Sequence, residues 1–133
     1  MYDRQSSTDK EQAALVTDHG IYWLSDSGNS HDHFTIGPDS DYPVDANGKR
    51  YFMDNGQKVI IQSIVHTHPS SGPQSGPGMS VEDIKLADDF NVPVYAIHIS
   101  GVYKANGSGT VSTAATYMNA AFDCAIAKTL FEL

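Results

Sequence analysis

One cysteine, Cys124, is all the 133-residue chain has, so no internal disulfide and no Cys-x-x-Cys element can exist. A zinc-deaminase pattern needs such a paired-cysteine element, so a metal-dependent deaminase or nuclease is disfavoured. The redox compartment stays open. Basic residues are also scarce: eight Lys and Arg stand against sixteen Asp and Glu, a formal charge of −8. Such a surface repels a phosphate backbone, and no nucleic-acid partner is expected. No stretch approaches the roughly 18 consecutive apolar residues of a membrane helix, so no membrane span is expected. The opening "MYDRQSSTDKEQ" lacks the apolar segment of a signal peptide, which leaves export as part of a longer polypeptide open. Glutamate is rarer still, and Glu11, Glu82 and Glu132 are the full set.

What remains is a globular composition, 40% apolar and 18% charged, of a length suited to one domain spanning 1–133. "EQAALVTDHGIYWLS" reads as two short extended segments around a turn at Asp18-His19-Gly20. From Ser25 to Lys58, Gly, Asn, Asp and Pro recur at short intervals and predict loops with one short strand near Tyr51-Phe52-Met53. "KVIIQSIVHTH" is β-branched and nearly continuous, the pattern of a strand buried on both faces. Pro69 ends it, and "SSGPQSGPGM" is too rich in Gly and Pro for a regular element. A helix is predicted from Ser80, with Val81, Ile84, Ala87 and Phe90 at helical intervals and a stop near Asn91. "VPVYAIHISG" and "VYKANGSGTV" predict two more strands, and "STAATYMNAAFDCAIAKTLFEL" a C-terminal helix. The fold class is therefore α/β.

Residues two apart on a strand point the same way, so His66 and His68 present both imidazoles to one face at the strand's C-terminal end. Asp83, in the first turn of the next helix, could complete a three-ligand metal set. A catalytic zinc site leaves its fourth position to water, whose pKa falls toward about 7. Plainer readings compete. Ser80-Val81-Glu82-Asp83 is also a capping-box pattern, which can coexist with a site role. An isolated His-x-His at a strand end more often packs or faces solvent than binds metal.

Taken in order, His66-Thr67-His68-Pro69 and Ser80-x-x-Asp83 resemble the signature of the JAMM (MPN+, JAB-like) zinc metalloproteases, H-[ST]-H-P followed by S-x-x-D. That family also has a glutamate on an upstream strand, and Glu11 opens "EQAALV" in the corresponding place. The likeness covers roughly residues 9 to 104. It is nearest in texture to the JAB-like domains at the C-termini of bacterial polymorphic and Rhs-type toxins, which share a Tyr-rich hairpin partner like "GIYWLS". The resemblance implies a cytidine-deaminase-like mixed curved sheet flanked by helices. It also implies Zn2+ held by His66, His68 and Asp83, with Glu11 as proton carrier and the Ser80 hydroxyl on the oxyanion. The implied activity is peptide or isopeptide hydrolysis by a secreted or delivered bacterial effector, on a protein or peptide substrate and with a possible cognate immunity protein. The alternative is a non-catalytic binding or scaffolding module on the same fold.

Two departures from the family are visible. Ten residues separate Pro69 from Ser80, more than the family usually has. The family also has a strand and a helix before its glutamate strand, where only ten residues precede Glu11. Of the other histidines, His31 and His33 in "NSHDHF" read as loop residues and His19 as a turn residue. His98 reads as a structural residue on a strand, and Cys124 as helix packing.

Overall fold

The computed structural model describes residues 10–30, 34–67, 81–98, 101–106 and 111–115. It is a mixed α/β fold. Seven strands form one sheet: β1 (Ala13–Thr17), β2 (Gly20–Trp23), β3 (Tyr51–Asp54), β4 (Gln57–Thr67), β5 (Val94–His98), β6 (Gly101–Ala105) and β7 (Val111–Ala115). Six of them lie in the order β2-β1-β4-β5-β6-β7, and β3 pairs with β4 beside that path. One α-helix among the described residues, α1 (Val81–Phe90), connects β4 to β5. These two strands run parallel, which a hairpin cannot achieve and a helical crossover can.

Local chemistry accounts for the connections. Thr17 pairs with Gly20 across Asp18 and His19, and Gly20 adopts φ +116°, so the expected hairpin forms where the sequence places it. Asp54 pairs with Gln57 across Asn55-Gly56, both in the left-handed region at φ 50° and 81°. That is the two-residue turn whose twist matches the strands it joins. Helix α1 ends in a left-handed Asn91 at φ 52°. The Asn91 N–H returns to the Asp88 carbonyl and the Val92 N–H to that of Ala87, each at 3.3 Å, a Schellman closure.

The core follows from the register. Leu15 pairs with Ile64, and Ile64 with Val94, so these three share one face. Ala87 and Phe90 of α1 belong to the same buried cluster, with Tyr42, Ile61, Val92 and Ala105. Tyr42 meets the Phe90 ring at 5.5 Å between centroids. Arg50 lies over the Phe90 ring, while its Nε donates to the Asp89 carbonyl and its Nη1 to that of Tyr42. The loop before β3 is thereby fastened to the end of the helix.

Two expectations need correcting. The long strand is buried on both faces only over its last five residues, Ser63 to Thr67, and Gln57, Lys58 and Gln62 are exposed. The reason lies in the neighbours: β5 flanks β4 only from Ile64 to Thr67, while Gln57 to Ile60 pair with the short β3. The run assigned to a C-terminal helix begins instead inside β7, where Val111 to Ala115 pair with β6. Ala-rich propensity there loses to pairing with an available strand. The rest of that run, Cys124 included, lies outside the described residues.

Candidate functional site

The C-terminal end of β4 is where the chemistry-bearing residues gather. Because β5 runs parallel to β4 and β1 antiparallel, this end of the sheet also receives the end of β5 and the start of β1. The first turn of α1 lies over it. Crevices outside the carboxyl ends of strands are the usual ligand positions in α/β sheets.

His66 pairs with Ala13 on one side and Ala96 on the other, so both cross-strand neighbours on its face are small. Two alanines leave room for the imidazole, which is 1% exposed. The face is the one that carries Leu15, Ile64 and Val94, and α1 packs on it. From Glu82 on, the buried positions of the helix are Asp83, Ala87 and Phe90, spaced four and three apart. This is the core-facing stripe, and at Asp83 it holds a carboxylate where periodicity calls for an apolar residue. Ile84, expected on the stripe, is only half-buried.

Asp83 is 4% exposed and its Oδ1 lies 3.1 Å from His66 Nε2. Two groups bound to one tetrahedral zinc at about 2.0–2.1 Å would stand about 3.3 Å apart. The pair is thus already close to the spacing of shared ligands, and one nitrogen and one carboxylate oxygen form a donor set that suits zinc. The helix N-terminus favours an anion at Asp83. Phe34 stacks on the His66 ring, with centroids 4.6 Å apart and planes inclined by 28°, and so limits how the imidazole can turn.

Glu11 is 4% exposed. The Thr67 N–H donates to the Gln12 carbonyl at 3.0 Å, which carries the β1–β4 pairing one residue beyond β1. Two-residue alternation then puts Glu11 on the face of Ala13 and His66. In a regular antiparallel pair Gln12 would return its N–H to the Thr67 carbonyl. Here it donates to the Thr67 hydroxyl, at 2.9 Å. The residue between the two histidines therefore ties the Glu11 segment to the end of β4.

His98 occupies the matching end of β5, buried and two residues beyond Ala96, on the face of His66. It does not join His66 and Asp83: among the described residues, no three His, Cys, Asp or Glu side chains converge as a metal-holding group. Of the five site residues expected from sequence, the structure brings His66 and Asp83 together and puts Glu11 at the same end of the sheet. His68 and Ser80 lie outside the described residues, as do His31 and His33. His19 is in the β1–β2 turn, bonded through Nδ1 to Asp18. Sequence reasoning missed Phe34, Thr67 and Asn29, whose side chain bridges Glu11 and Thr35. Only the His-Thr-His spacing pointed at one of them. No helix among the described residues is long and apolar enough to cross a membrane. Comparison of the chain with protein-family models, with curated proteins and with solved structures finds no match.

Proposed function

We propose that this chain is a zinc-dependent peptidase or isopeptidase of the JAMM type. The observation that carries the reading is the buried approach of Asp83, on the core stripe of α1, to His66 at the end of β4. A carboxylate placed where the helix would otherwise bury an apolar side chain loses stability unless a cation or donor compensates it. His66 stands beside it, and a divalent ion shared by the two side chains would match their donor types, one nitrogen and one carboxylate oxygen.

In this reading His66, His68 and Asp83 hold Zn2+. Bound zinc supplies Lewis-acid polarisation of a carbonyl and a water acidic enough to react near neutral pH. Glu11 accepts a proton from the attacking water and delivers it to the departing amine. The Ser80 hydroxyl donates to the oxygen that becomes negative as the carbonyl turns tetrahedral. Phe34 keeps the His66 ring in one orientation, and the Thr67 hydroxyl keeps the Glu11 segment against β4. The acidic surface suits a basic peptide. A delivered bacterial effector with a cognate immunity protein belongs to the same proposal and rests on resemblance alone, as does the JAB-like identity of the fold.

The test is cleavage of a fluorogenic peptide library by zinc-loaded protein, with Glu11→Gln as the control. The expected result is turnover in the wild type and a loss of about 10²–10⁴-fold in the variant, with zinc retained. Cleavage by Glu11→Gln at the wild-type rate removes Glu11 from the mechanism. Zinc uptake without cleavage of any library member favours the binding-module reading.

A further inference from the structure

We infer that Asn29 is a positioning residue that sets Glu11 and the His66 ring relative to each other; the inference rests on the peptidase reading. Asn29 is 8% exposed, in a loop whose backbone turns so that its own N–H donates to the Asp26 carbonyl. Its Nδ2 donates to the Glu11 carbonyl at 2.6 Å, and its Oδ1 accepts the Thr35 N–H at 3.0 Å. Neither contact survives an amide flip, so the two together fix the side chain's orientation. The Glu11 N–H is held as well, by the Ser30 carbonyl at 2.7 Å. Both backbone groups of Glu11 are thus bonded to residues 29 and 30.

The other end of the bridge reaches the metal side. Thr35 directly follows Phe34, the residue stacked on His66. One buried amide therefore joins the backbone of the proton carrier to the backbone of the aromatic wall that orients a metal ligand. His66 sits on β4 while Glu11 lies ahead of β1, and the β1–β4 ladder alone leaves the Glu11 main chain beyond its last regular pair at Ala13. Asn29 adds a side-chain restraint on the Glu11 carbonyl beside those from Thr67 and Ser30. Displacement of about 1 Å in a reacting group can cost on the order of a hundredfold in rate.

Two variants and a reading independent of zinc test this. In histidine-labelled, metal-free protein, the stacked Phe34 ring displaces the His66 ring-proton signals, and Phe34→Leu gives the undisplaced reference. Asn29→Ala is expected to move those signals toward that reference. It is also expected to lower kcat on the peptide library about 10- to 100-fold with KM little changed and zinc content retained. Asn29→Asp keeps an acceptor for the Thr35 N–H but loses the donor to Glu11. It should keep the His66 signals near wild type and still lower kcat. Wild-type signals and wild-type kcat in both variants overturn the inference, as does full activity of Asn29→Asp where Asn29→Ala fails to fold. A wild type that neither takes up zinc nor cleaves refutes the peptidase reading and the catalytic purpose of Asn29 with it. An active wild type beside unaltered variants refutes the positioning role alone.

Discussion

Thr67→Val isolates a single hydrogen bond at the point where the candidate base meets the candidate metal strand. Thr67 is fully buried, and its hydroxyl accepts the Gln12 N–H at 2.9 Å, while its own N–H bonds to the Gln12 carbonyl. Valine has the same shape, so it leaves the packing and the backbone bond in place and takes away only the acceptor. Depriving a buried N–H of its acceptor costs about 1–3 kcal/mol. The added methyl group offsets less than about 1 kcal/mol of that. With about 2.1 cal/mol/K of unfolding entropy per residue, the 133 residues give about 0.28 kcal/mol/K. About 2 kcal/mol for the lost acceptor, less that offset, leaves about 1–2 kcal/mol, so Thr67→Val should lower Tm by about 4–7 °C. Amide hydrogen exchange at Gln12 should quicken while that at core positions such as Ile64 tracks global stability alone. A Tm within about 2 °C of wild type, with Gln12 as protected as before, refutes the reasoning, because the hydroxyl would then not be what holds the Glu11 segment to β4.

Three further predictions concern the core, the ion and acid. Phe90→Ala removes the ring under Arg50 and against Tyr42 and should cost about 3–5 kcal/mol, lowering Tm by about 11–18 °C in a thermal melt. Zinc at about a hundred times its dissociation constant should stabilise the wild type by about 2.7 kcal/mol, or about 10 °C, and Asp83→Ala should lose that increment in the same melt. Asp45 is held at about 2, below its ordinary 3.8, by the Lys58 ammonium and the backbone N–H groups of Lys49 and Asn47. Its folded-state value is the lower one, so its contribution is complete above about 3.8 and fades as pH falls toward about 2. Asp45→Asn should therefore narrow the stability gap to wild type through that window in an acid titration followed by circular dichroism.

Much of the fold was legible because its signals are local. Asp18-His19-Gly20 and Asn55-Gly56 carry the backbone freedom their turns need, and Asn91 before Val92-Pro93 marks where α1 can close in a left-handed residue. The β-branched run of β4 and the His-x-His spacing were readable for the same reason. The helix stripe was read correctly at Ala87 and Phe90, but a search for apolar residues passes over Asp83, which is more deeply buried than the half-buried Ile84. β7 was missed because "STAA" favours a helix by composition, and only the presence of β6 makes it a strand. Asn29 and Phe34 had no local signature at all. Each is a lone residue in a Gly- and Ser-rich stretch, and its meaning comes from what the assembled sheet sets beside it. The site was thus readable where it lies on regular elements and unreadable where loops support it.

The central claim is that the end of β4 and the start of α1 hold zinc. Metal analysis of protein purified without chelator, with wild type beside His68→Ala and Asp83→Asn, tests it most directly. About one zinc per chain in the wild type, lost in both folded variants, is the result expected for a three-ligand site. Wild-type protein that neither carries zinc nor takes it up from a stoichiometric supply would contradict the account and leave the His66–Asp83 pair as a structural feature.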